Sequence, residues 1–138
     1  MAGYSGTPLA QKLGIKCGHR VALVGAPAGF EHQIDGMPDA VSIAHQVRGS
    51  ANVILLFTER AAHLSGRFAA VAQHLDPAGG LWVVWPKRAS GRATDLGEGV
   101  VRDIGLAAGL VDNKVCAVDE VWSGLRFVVR LADRPHRR

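Results

Sequence analysis

Three stretches of the chain, residues 21–24, 53–57 and 81–85, are apolar without a break rather than alternately apolar and polar. A strand covered on both faces reads this way, and the interior of a parallel sheet is where both faces are covered. Between the second and third runs, Ala61, Leu64, Phe68, Val71 and Leu75 recur at spacings of three and four, the period of a helix laying one face on a sheet. Thr58 is placed to cap that helix, and Pro77, Gly79 and Gly80 are expected to end it in a tight turn. After the loop "PKRASGRA", Asp95 and Glu98 have capping-box spacing ahead of Leu96, Val100, Ile104 and Ala108, which predicts a second amphipathic helix. Gly97, Gly99 and Gly105 each cost that helix about 1 kcal/mol relative to alanine. Packing, rather than propensity, has to hold it.

The ends of the chain carry weaker patterns. Thr7, Pro8 and Gly14 fit the cap, first position and stop of a short helix whose stripe is Leu9 and Leu13. Residues 40–45 predict a poor strand near an edge, and residues 30–34 predict one or two helical turns. "KVCAVDEVW" and "LRFVVRL", on either side of Ser123-Gly124, predict an antiparallel hairpin, with Asn113-Lys114 turning the chain into it. Strands alternating with helices then imply an α/β fold: a three-layer sandwich on a mostly parallel sheet of about six strands, closed by a C-terminal antiparallel hairpin.

Composition narrows the class without choosing a reaction. With 138 residues, 48% apolar and 20% charged, the chain fits one globular domain over residues 1–132 followed by a basic tail, 133–138. Arg134, Arg137 and Arg138 in that tail supply much of the +4 formal charge, so no basic face marks a nucleic-acid binder. The N-terminal "MAGYSGTPLAQKLG" has no apolar stretch of signal-peptide length, and residues 53–57 are far too few to span a bilayer. A cytoplasmic protein without a membrane segment is expected. Cys17 and Cys116 are widely separated beside apolar runs and read as buried free thiols. The six histidines include no metal-ligand spacing; His63 and His74 share a helix face but stand about 16 Å apart. GxSxG, HExxH, CxxC and P-loop patterns are absent.

Two resemblances follow from these residues. The alternating strands, the "LDPAGGLWVVWPK" turn before a central strand and the closing hairpin resemble a shortened class I methyltransferase (Rossmann-like) fold, which implies the strand order 2-1-3-4-6-5. "GYSGTPLAQKLGIK", "DPAGGLWVVWPK" and "GLVDNKVCAVDEVWSGLRFVVR", in that order, are similar to a small bacterial family, the domain of unknown function 3052 family. That resemblance implies a single cytoplasmic domain and carries no catalytic residue or cofactor.

An open α/β sheet binds ligands at the carboxyl ends of its strands. Candidate ligand-binding residues there are Pro27, Gly29 and Phe30 in the first loop, Thr58 beside Glu59, Lys87 and Ser90 in the basic loop, and Asp119 and Trp122 in the hairpin. Lys87 emerges from a buried strand; pairing with Asp119 or Glu120 at the sheet end is the leading reading, and holding a phosphate or carboxylate is the alternative. Adjacent on a strand, Asp119 and Glu120 face opposite ways and make no acid/base pair. The first loop, "VGAPAGF", lacks GxGxxG, Pro27 removes an amide donor, and His45 rather than an acid ends the second strand. These features disfavour adenosylmethionine or a dinucleotide bound in the usual mode. The expectation is therefore no catalytic residue, no metal and no cofactor: a non-catalytic or regulatory Rossmann-like module for a small anionic metabolite or a protein partner. The alternatives are a divergent S-adenosylmethionine-dependent methyltransferase and a homo-oligomeric, for instance homodimeric, structural subunit covering its weak second strand.

Overall fold

The unbroken apolar runs become the central strands of one sheet. The computed structural model describes residues 6–135; Arg137 and Arg138 of the basic tail lie outside them. Its strands are β1 (Arg20–Val24), β2 (Ser42–Ala44), β3 (Ala51–Phe57), β4 (Leu75–Pro86), β5 (Leu110–Ala117) and β6 (Trp122–Val129), in the spatial order β2-β1-β3-β4-β6-β5. β1, β2, β3 and β4 run parallel, while β6 lies antiparallel between β4 and β5. The α-helices among the described residues are α1 (Leu9–Leu13), α2 (Ala61–Ala72) and α3 (Glu98–Ala107). The sheet order is the one implied by the likeness to a methyltransferase fold.

Both faces of the sheet are covered, which is why its central strands are apolar throughout. Ala22 and Val24 face α2 and α3 in one core, together with Leu64, Phe68, Val71 and Val101. Val21 and Leu23 face the other core, built by Leu9, Ala10 and Leu13 of α1 and by Phe30. Phe68 meets Phe127 edge to face at 5.3 Å, locking α2 to β6. Arg102 of α3 bonds Asp112 of β5 at 2.9 Å and Glu98 at 2.6 Å, which ties that helix to the edge strand and holds the Asp112 carboxyl below its usual range.

Several local expectations are corrected by contacts between distant segments. Pro8, not Thr7, occupies the N-cap of α1, and the cap bond comes from Asp35, whose Oδ1 accepts from the Leu9 amide at 2.8 Å. Asp95 makes no capping box for α3, whose N-cap is Gly97; it caps α2 instead, accepting from the Ala61 amide at 2.7 Å. α3 also sits rotated from the expected stripe: Val101 is fully buried and Val100 is 41% exposed. Pro77, Gly79 and Gly80 do not separate helix from strand: they lie within β4, where Asp76 Oδ1 accepts from the Ala78 amide at 2.8 Å and the pairing with β3 shifts register. A Cβ at Gly79 would collide with the Asn52 carbonyl, so glycine here marks a close approach of two backbones. Asn113-Lys114 sit within β5 at a second irregularity rather than in a turn. Ser123 and Gly124 lie inside β6, where a Cβ on Gly124 would come within 3.0 Å of the Trp82 ring.

The two cysteines differ. Cys17 is exposed, against expectation, and Cys116 is buried, with its thiol pushed up by that burial. A thiol-specific disulfide reagent at neutral pH is expected to titrate one sulfur at once. The second should react only in step with opening of the fold. Two fast thiols would place Cys116 outside the core. No helix among the described residues is long and apolar enough to cross a membrane, and none of their His, Cys, Asp and Glu side chains cluster to hold a metal ion.

Candidate functional site

β1 and β3 are paired to their carboxyl ends, but the chain leaves β1 toward the face that holds Phe30 and leaves β3 toward α2 on the opposite face, so the two connections diverge around a cleft. This is the switch point at which open α/β sheets take ligands. A crevice of about 590 Å³ opens there, lined by Gly25 and Pro27 after β1, Phe57 to Arg60 after β3, His63 of α2, Arg92 and Trp122. Its volume lies within the usual range for small-molecule sites, about 300–1,000 Å³.

Gly25 sets the entrance. Its φ is +73°, and a Cβ there would stand 3.1 Å from the Phe57 carbonyl oxygen, so both conformation and space call for glycine. The apolar wall is an aromatic series in which Phe30 meets Phe57 at 4.9 Å and Phe57 meets Trp122 at 5.1 Å, both edge to face. The polar wall starts at Thr58, only 4% exposed, held at the sheet end by the hydrogen bond its amide donates to the Val84 carbonyl at 2.9 Å. Its hydroxyl lies 3.3 Å from the Arg60 carbonyl oxygen and 3.1 Å from His63 Nδ1. Donation to the carbonyl leaves the hydroxyl oxygen to accept from Nδ1–H, a tautomer in which Nε2 keeps its lone pair. Thr58 is therefore not the cap of α2; Arg60 holds that position.

A strap between β4 and α3 closes the other side. Arg92 donates from Nε and Nη2 to Glu59 Oε2 at 3.1 and 2.8 Å, while its guanidinium carbon stands 5.1 Å from the centre of the Trp122 ring. Thr94 Oγ1 donates to the Glu59 carbonyl at 2.6 Å, and Asp95 caps α2 as described. At the end of β2, the Glu31 carboxylate lies 3.3 Å from His45 Nε2. Hydrogen bonding from its own backbone and from His45 holds that carboxyl below its ordinary range.

The eight candidate positions separate. Pro27, Thr58 and Trp122 line the crevice. Phe30 is buried behind Phe57, and Gly29, at φ +78°, starts the 3-10 turn Phe30–Gln33. Lys87 and Ser90 lie at the root of the strap, where the Lys87 amide donates to the Val121 carbonyl at 2.7 Å and the Ser90 hydroxyl to the Lys87 carbonyl at 2.6 Å. Among the described residues, neither Asp119 nor Glu120 forms an ion pair with Lys87. Asp119 is a turn residue: its Oδ1 accepts from the Val121 and Trp122 amides, each at 2.8 Å, and so makes the hairpin bend. Sequence reasoning missed Arg60, His63 and Arg92. For His63 the only signal was its place in the first turn of the helix, and for Arg92 it was the basic composition of "PKRASGRA".

The strand order and the layers on both faces of the sheet match a Rossmann-like methyltransferase fold. The solved structures agree. The chain is similar to magnesium protoporphyrin IX methyltransferase from Synechocystis PCC 6803 with bound SAM (12% identity, 83% of this chain and 71% of that one, TM-score 0.58). It is also similar to a SAM-dependent methyltransferase from Aquifex aeolicus (15%, 86% and 86%, 0.57) and to a methyltransferase from Pyrococcus furiosus (12%, 86% and 78%, 0.59). No protein-family model and no curated protein sequence matches the chain.

These likenesses show the fold, and they overturn the leading expectation of a non-catalytic or regulatory module for an anionic metabolite or protein partner. Several of the similar structures carry bound SAM or SAH.

The residues present fit SAM, with substitutions. Gly25 permits close approach of the first loop, and the crevice is large enough. His45 stands where an acid is usual at the end of the second strand, and Glu31 brings a carboxylate beside it from the 3-10 turn. Pro27 still withholds one amide.

Proposed function

We propose that the chain is a divergent S-adenosylmethionine-dependent methyltransferase whose cofactor site is the crevice between β1 and β3. The observation that carries this reading is the cleft at the sheet's switch point, entered past Gly25, whose positive φ and tight approach to the Phe57 carbonyl oxygen disfavour a side chain. Bound there, SAM supplies a methyl group activated on a sulfonium. Gly25 and the following loop would hold the cofactor close to the sheet end, and Glu31 is the acid available for its ribose hydroxyls. Phe57 and Trp122 exclude water from one wall. Thr58 orients the His63 imidazole, whose Nε2 is suited to take a proton from a methyl acceptor.

Membership in the domain of unknown function 3052 family belongs to this proposal too; it rests on the three sequence segments and adds no activity. Isothermal calorimetry with SAM and SAH tests the reading. Saturable one-to-one binding in the micromolar range is expected, and no heat at 1 mM of either ligand sinks it.

A further inference from the structure

The ion pair on the crevice wall has a chemistry that the fold does not require. Glu59 follows β3 by two residues and Arg92 sits on the strap, 33 positions later, yet they meet at 2.8 Å. Both Arg92 bonds land on the single oxygen Oε2. No other hydrogen bond of either charged group occurs among the described residues, so Oε1 and Nη1 retain their capacity. The side chains are 40% and 51% exposed, and pairs so hydrated add little to stability and reopen cheaply.

What holds the two charges in place is not their mutual attraction. Thr94 fastens the strap to the Glu59 backbone at 2.6 Å, Asp95 fastens it to the start of α2 at 2.7 Å, and the Trp122 ring supports the guanidinium from below. A carboxylate and a guanidinium are thus fixed side by side before any ligand arrives. A simple anion entering between them meets Glu59, and a simple cation meets Arg92. A group carrying an ammonium and a carboxylate on one carbon satisfies both, its carboxylate on Arg92 and its ammonium on Glu59.

We infer that Glu59 and Arg92 form a receptor for the zwitterionic α-amino-acid end of the crevice ligand. The inference rests on the cofactor reading above and specifies which end of that ligand the strap holds. It assigns the amino-acid end to the β3–strap wall, leaving the nucleoside end to the β1 and β2 side.

The test compares SAH with 5′-deoxy-5′-methylthioadenosine, which keeps the nucleoside and lacks the amino acid, by calorimetry on the full chain. Wild-type protein is expected to bind SAH at least tenfold more tightly. Arg92→Gln and Glu59→Gln should each weaken SAH about tenfold and leave methylthioadenosine within twofold. Thermal unfolding of both variants, expected within a few degrees of wild type, shows that the fold survives. SAH binding that is unchanged in both variants, or equal losses for both ligands, overturns the receptor while the cofactor reading stands. Wild-type protein that binds neither ligand overturns both.

Discussion

Replacing Trp82 by alanine is expected to lower the free energy of unfolding by about 3–5 kcal/mol, the range for truncating a large buried aromatic residue. Trp82 is wholly buried at the centre of the α1-side core. Its Nε1–H donates to the Leu13 carbonyl oxygen at 3.0 Å, at the last residue of α1. A helix of five residues has no stability of its own, so α1 is held by what it packs on. The alanine variant removes that platform and leaves the Leu13 carbonyl without its donor. Trp82→Phe keeps most of the volume and loses the donor, for an expected cost of about 1–2 kcal/mol. Chemical denaturation checks both: a loss below about 1.5 kcal/mol for Trp82→Ala would mean that the α1-side core does not depend on this residue.

The elements that were legible in the sequence share a cause. Residues 21–24, 53–57 and 81–85 are apolar throughout because sheet interiors covered on both faces leave no position for a polar side chain. That signal is local, and so is the helical period of Leu64, Phe68 and Val71. The features that escaped are non-local. Asp95 has the local spacing of a capping box, yet α2 claims it across 34 residues. Gly79 has turn composition, yet the neighbouring backbone at Asn52 is what requires its lack of a Cβ. Ser123-Gly124 looked like the hairpin bend for the same reason, while Asp119 builds the real one through its side chain.

The site was legible in position and not in chemistry. The carboxyl ends of the strands follow from topology alone, which is why Pro27, Thr58 and Trp122 could be named beforehand. His63 and Arg92 reach the crevice only because α2 begins one residue after Arg60 and the strap folds back over Glu59. Neither event leaves a periodic trace. GxGxxG is one way for a backbone to leave room for a phosphate or nucleoside; here a single glycine, Gly25, has the positive φ and the tight backbone approach that such a loop needs.

Gly105→Leu is expected to cost about 3 kcal/mol or more, even though leucine is a far better helix former than glycine. Local propensity argues for stabilisation: a glycine inside α3 costs roughly 1 kcal/mol relative to alanine, and leucine ranks close to alanine. Packing argues the other way. A Cβ at position 105 would overlap the Phe127 ring, which is itself fully buried and held edge to face against Phe68 at 5.3 Å. Overfilling a close-packed core typically costs about 1–3 kcal/mol and sometimes more, and leucine adds three further carbons where one already fails to fit. The ring cannot turn aside without opening the contact that joins α2 to β6. Gly105→Ala sets the scale: the propensity gain and the clash partly offset each other, for an expected net loss of about 1–2 kcal/mol. Denaturant midpoints for the two variants decide which effect wins. A stabilised Gly105→Ala protein would mean that α3 rides further from the sheet than the Phe127 contact requires.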